Sequence, residues 1–186
     1  EKGLPIYAPD RELAMLQARR EEAAKAGISP QLIEDVLRRF MRESYSNENQ
    51  FGFKTLNPAI NKIVIVGGYG KMGQLLARYL RASGYPISIL DLDDWDVAER
   101  ILTNADVVIV SVPIDHTLET IERLKPYLTE NMLLADLTSV KRAPLAKMLD
   151  VHKGAVVGLH PMFGPDIASM AKQVVVRCDG RFSERY

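Results

Sequence analysis

The chain has 186 residues, enough for one sizeable core with an appendage. Its 24 Lys and Arg balance 24 Asp and Glu, so charge supplies no footprint for nucleic acid or for an anionic membrane surface, and neither partner is expected. One cysteine, Cys178, permits no intrachain disulfide and no cysteine-based zinc spacing, so no metal site is expected and a reducing cytoplasm is the expected location.

No apolar run reaches the ~18 residues of a spanning helix, and the opening Glu1-Lys2-Gly3-Leu4-Pro5 lacks the charged-then-apolar plan of a signal peptide. The chain begins without Met, so a piece of a longer protein is expected. From Pro9 to about Gln50, Leu13, Leu16, Leu32, Ile33, Val36, Leu37, Phe40 and Met41 recur at three- and four-residue spacings, which predicts two helices. Gly27 ends the first; Ser29 followed by Pro30 supplies an N-cap and a first-turn proline for the second. Residues 51–61, with Gly52, Asn57 and Pro58, read as a linker between residues 1–50 and a second domain over 62–186.

Beyond the linker, short β-branched runs alternate with helical stretches. The strand candidates are Lys62–Val66, Ile87–Asp91, Asp106–Ser111, Met132–Leu137, Ala155–His160 and Gln173–Arg177. Most are apolar throughout, the mark of strands buried on both faces, so the expected fold is α/β: a doubly wound, Rossmann-type parallel sheet preceded by two α-helices.

Directly after the first strand, Gly68-Tyr69-Gly70-Lys71-Met72-Gly73 matches G-x-G-x-x-G, opens a helix, and is followed by a second strand ending in Asp91. In that context Gly68 allows the tight turn, Gly70 lets a pyrophosphate approach the backbone, and Gly73 lets the helix pack close. Asp91 would accept hydrogen bonds from an adenosine ribose, and no arginine follows to balance an extra phosphate, so NAD is expected rather than NADP. A glycine turn without a ligand is the alternative. A P-loop is excluded because Met72, not Ser or Thr, follows Lys71. Ser111, Val112 and Pro113 end the third strand at the carboxyl edge and should lie along the cofactor, although a plain strand-ending proline explains Pro113 equally well.

Two further strand ends carry reactive groups: Asp136-Leu137-Thr138-Ser139-Val140-Lys141 and Gly158-Leu159-His160-Pro161-Met162-Phe163-Gly164-Pro165. At such an edge His160 suits a base that takes a proton from a substrate hydroxyl while hydride leaves for nicotinamide, with Ser139 orienting it. His116 and His152 lack that placement and read as surface helix residues.

Those two runs, with Val64-Ile65-Val66-Gly67-Gly68, resemble the cofactor domain of prephenate dehydrogenases. Gly3-Leu4-Pro5-Ile6-Tyr7, Asp10-Arg11-Glu12 and Arg38-Arg39-Phe40-Met41-Arg42-Glu43-Ser44-Tyr45 resemble the later two helices of the chorismate mutase domain fused ahead of that dehydrogenase in enteric-type bacteria. The resemblance implies a route to tyrosine: chorismate rearranges to prephenate, and NAD-dependent oxidative decarboxylation gives 4-hydroxyphenylpyruvate. His160 matches the family's catalytic histidine and Ser139 the serine that positions it. Lys141 is an electrostatic support for substrate or cofactor, or else a solvated lysine at a helix start. Arg11, Glu12, Ser44 and Glu48 match polar mutase contacts, a solvated helix face being the alternative.

The same resemblance implies a homodimeric parent with tyrosine as feedback inhibitor, a first mutase helix before Glu1 and a C-terminal dimerisation domain after Tyr186. Without those parts this stretch is expected to retain mainly dinucleotide binding. Two other functions fit the glycine motif: another Rossmann hydroxy-acid dehydrogenase, and a non-catalytic NAD-binding regulatory module.

Overall fold

The computed structural model describes residues 9–48, 57–167, 169–170 and 173–185. The chain divides into two compact units, Glu1–Gln50 and Phe51–Tyr186.

In the first unit two helices, α1 (Pro9–Lys25) and α2 (Pro30–Glu48), pack against each other. Between them Gly27 takes φ +72°, a conformation that glycine adopts without strain, and the Leu32 amide donates to Ser29 Oγ at 3.4 Å. Leu16 and Ala23 are buried. Arg20 reaches Glu34 at 2.7 Å across the pair, and Arg38 Nε donates to the same carboxylate at 2.9 Å. These guanidinium contacts, the Arg38 hydrogen bond foremost, hold the Glu34 carboxyl below its ordinary range. Leu32, Val36 and Phe40 recur every four residues and stay exposed on α2, so the pair leaves an apolar stripe uncovered.

The second unit is an α/β domain. Its strands are β1 (Ile63–Val66), β2 (Ile87–Leu90), β3 (Val107–Val110), β4 (Leu133–Asp136), β5 (Ala155–Pro161) and β6 (Val175–Asp179), in the spatial order β2-β1-β3-β4-β5-β6. The first five pair in parallel. Alternate residues face opposite sides: Val64, Val66, Val108, Val110, Leu134 and Val156 on one, Ile63, Ile65, Val107, Ile109, Ala135 and Val157 on the other. The first face is covered by α4 (Ala98–Leu102), α5 (Ile114–Leu124) and α6 (Arg142–Val151), through Leu102, Ile121, Leu124 and Met148. Helix α3 (Lys71–Ala82) covers the second through Ala77. This two-sided cover is why the strands read as unbroken apolar runs.

The last strand departs from the expected parallel pattern. Strand β6 runs antiparallel to β5, with Gly158 opposite Cys178 and His160 opposite Val176. None of the described residues among 162–174 forms a helix, so no crossover returns the chain to the opposite edge, and it doubles back along β5.

His152, expected on the surface, is instead 2% exposed. It ends α6, and its Nε2–H donates to the Met132 carbonyl at 2.9 Å. Arg181 donates to the His152 and Leu149 carbonyls at 2.6 and 3.3 Å, tying the helix end to the segment after β6. Burial pushes the His152 imidazole below its ordinary pKa.

Candidate functional site

The carboxyl ends of the parallel strands define one edge of the sheet, and the predicted dehydrogenase residues fall along it. After β1 the chain turns through Gly67, which takes φ +78°, so the positive φ belongs to Gly67 and not to Gly68. A Cβ at Gly67 would lie 2.6 Å from the Ser111 carbonyl oxygen. Gly68 is required for a different reason: a Cβ there would meet the Ile89 side chain at 2.8 Å. At Gly73 a Cβ would stand 2.6 Å from the Gly67 carbonyl oxygen and 2.7 Å from Gly68 Cα, so α3 can approach the turn only with glycine at that position.

Gly70 is the N-cap of α3 and no side chain caps it. The first-turn N–H groups of Lys71, Met72 and Gly73 lack acceptors within the helix and are positioned to receive an anion. Tyr69 is exposed. Its carbonyl accepts from Gln74 Nε2 at 2.7 Å, which steadies the loop.

Asp91 follows β2 at the same edge. One carboxylate oxygen accepts from the Tyr69 amide and the other from the Leu92 amide, each at 2.9 Å. The Asp91 amide donates to Asp94 at 2.9 Å, completing a capping box for a 3₁₀ turn at Leu92–Val97. The carboxylate is thus fixed beside the glycine loop, and each oxygen keeps an acceptor direction for a ligand hydroxyl.

A cleft of about 310 Å³ opens there, lined among others by Gly67, Gly70, Asp91, Ser111, Val112 and Pro113. Trp95, His116 and Thr120 also line its wall, three residues that sequence reasoning missed. His116 does lie on an exposed helix face, as expected, but α5 starts at the sheet edge and its first turn borders the cleft. Its position three residues after Pro113 was the available signal. Arg123 stacks over the Trp95 ring at 4.0 Å from its centroid and steadies that wall. Glycines that leave no room for side chains, an uncapped helix start and a fixed carboxylate beside one cleft fit a dinucleotide.

The reactive segments emerge from the two neighbouring strands. Ser139 is exposed, His160 is half-buried in β5, and among the described residues no hydrogen bond joins them. Lys141 is neither solvated nor a free charge. Its Nζ donates to Asp136 Oδ2 at 2.6 Å and to the Leu159 carbonyl at 2.7 Å, with its side chain 13% exposed.

Asp136, the fully buried last residue of β4, also accepts from the Thr138 amide at 3.1 Å and from the Thr138 hydroxyl. Its Oδ1 is buried and has no hydrogen-bond partner among the described residues. The sequence signal for this group was a charge closing an apolar strand, with a lysine five residues on. Arg11 and Glu12 fall on α1 and Ser44 and Glu48 on α2; the side chains of all four lie outside the described residues.

Residues 76–180 match the family model described as prephenate dehydrogenase, nucleotide-binding domain, and residues 1–49 match chorismate mutase type II. The chain is 84% identical, over all of its 186 residues, to 49% of the T-protein of Haemophilus influenzae. It is 57% identical over 99% of its length to 49% of the T-protein of Enterobacter agglomerans. It therefore spans about half the length of these curated relatives.

Among solved structures, the fold is similar to that of prephenate dehydrogenase from A. aeolicus in complex with hydroxyphenyl propionate and NAD+. The TM-score is 0.56 at 22% identity, covering 69% of this chain and 53% of that one. With its sheet, its glycine turn and the match over residues 76–180, the chain belongs to the prephenate dehydrogenase family.

Proposed function

We propose that the protein carrying this chain works in tyrosine biosynthesis, oxidatively decarboxylating prephenate to 4-hydroxyphenylpyruvate with NAD. The observation that carries this reading is the convergence, at one sheet edge, of the glycine turn with its cleft, Asp91, and the ends of β3, β4 and β5. In this reading Gly68, Tyr69, Gly70, Lys71, Met72 and Gly73 hold the pyrophosphate, and Asp91 holds the adenosine ribose and repels the additional phosphate of NADP. Ser111, Val112 and Pro113 line the path toward the reacting end. Bound NAD supplies a hydride acceptor.

His160 accepts a hydrogen bond from the ring hydroxyl of prephenate and takes its proton as hydride leaves C4. The bond to the departing carboxylate breaks, its electron pair completes the aromatic ring as carbon dioxide is released, and the proton held by His160 returns to the ring oxygen to give the product hydroxyl. Ser139 positions the hydroxyl and the imidazole. Lys141 acts through the segment it holds.

On residues 1–49 the reading is a chorismate mutase portion, where a pericyclic rearrangement needs positioning and charge stabilisation rather than proton transfer. Arg11, Glu12, Ser44 and Glu48 are its proposed polar contacts. The same reading includes, as what the family resemblance implies, a homodimer, tyrosine as feedback inhibitor and a cytoplasmic location.

The test is turnover of prephenate by the full-length protein and its His160→Asn variant. Loss of kcat by roughly 100-fold or more with dinucleotide binding retained is expected for a missing general base. Unchanged turnover would overturn the reading and favour a non-catalytic NAD-binding module.

A further inference from the structure

We infer that Asp136 is a positioning residue for the reaction, acting through Lys141 to hold the peptide that precedes His160. The inference rests on the proposed role of His160. Three observations carry it. Asp136 is the terminal residue of β4, between Val110 and Gly158 in the sheet register, so a charge is buried at the floor of the reactive edge. Lys141 Nζ bridges this carboxylate and the Leu159 carbonyl, linking the end of β4 to the residue next to His160. Thr138 is drawn to the same oxygen, which fixes the turn that presents Ser139. One buried carboxylate therefore sets the spacing of both reactive segments.

The packing is consistent with such a device. A Cβ at Gly158 would lie 3.1 Å from Lys141 Cδ and 3.4 Å from Asp136 Oδ1, so glycine at this position leaves the pair its room. A buried ion pair is weak as a source of stability, because desolvation offsets most of the Coulombic attraction, whereas removing one partner strands the other charge. Two functions of the pair can thus be separated. Neutralising both groups restores fold stability without restoring the link to Leu159.

The experiment compares Asp136→Asn, Lys141→Met and the double variant in the full-length protein, with His160→Asn as comparator. Measurements are Tm, kcat and KM with prephenate and NAD, and amide exchange of Leu159, His160 and Met162 in the ligand-free protein. Asp136→Asn strands a lysine and is expected to lower Tm. In the double variant the introduced carboxamide still accepts from Thr138 and the introduced thioether chain keeps the aliphatic packing, so Tm returns toward the wild-type value. Its kcat stays down by roughly 10- to 100-fold, the scale of a misplaced reacting group. KM for NAD is unchanged, and amide exchange at Leu159 and His160 is faster than in the wild type.

Recovery of kcat together with Tm, or unchanged exchange at Leu159 and His160, would overturn the inference and leave the pair a structural role only. The ligand-free exchange measurement judges the link independently of catalysis. Full activity of His160→Asn would instead refute the catalytic reading on which it rests.

Discussion

Gly73 shows how little freedom a single position in the cofactor loop has. A methyl group there meets the Gly67 carbonyl oxygen and Gly68 Cα at distances no relaxed contact allows, and both are backbone atoms that cannot swing aside. Gly73→Ala is expected to cost about 1–3 kcal/mol through overpacking. Because the strain falls on the loop itself, dinucleotide affinity should drop by about tenfold or more, measurable by titration.

His152 supports a prediction about pH. Its native pKa lies below its ordinary value of about 6.5, so beneath that pH the unfolded chain binds a proton that the native one excludes. Its contribution to stability is complete above about pH 6.5 and is lost as the pH falls through and below it. His152→Gln keeps a side-chain N–H near the Met132 carbonyl but cannot titrate, so denaturant midpoints between about pH 5 and 7.5 should rise less steeply than in the wild type. Equal slopes would contradict this.

These residues also show what a sequence can display. The strand, the glycines and the acid at Asp91 were legible because each is a local requirement. The burial of His152 was not, since it depends on Met132 and Arg181, far away along the chain. The Asp136–Lys141 pair lay within a recognised segment, yet its second contact, the Leu159 carbonyl, belongs to another strand.

At the scale of elements, the five parallel strands were readable from their apolar, β-branched runs, with ends displaced by at most one residue. The direction of β6 was not readable, because direction is set by the connection and 162–174 carries no periodic pattern. Its Val175 and Val176, and Val174 just before it, remain exposed, and alternation alone could not assign them a covered face. What holds this region to the α/β core includes the Arg181 guanidinium, which satisfies two carbonyls at the end of α6 that the helix leaves free. Arg181→Met should therefore destabilise the fold by about 1.5–3 kcal/mol, the scale of hydrogen bonds from a charged donor, read from a denaturant melt. A change within experimental error would mean that those carbonyls find water instead.

Across the whole molecule, chemistry-bearing residues of the second unit gather at one sheet edge, as open α/β sheets require, and the glycine turn, Asp91 and the cleft form the best-defined part of that edge. The first unit carries a different pattern, a helix pair with an exposed apolar stripe, and matches a different family model. Dinucleotide binding is the property on which the proposed chemistry depends. The most direct measurement is a calorimetric titration of the full-length protein with NAD and, separately, with NADP. Saturable binding of NAD, at least about tenfold tighter than NADP as the cost of placing a phosphate against a fixed carboxylate implies, is the predicted result. No binding by a folded sample, or a preference for NADP, would contradict the assignment of the glycine turn and Asp91.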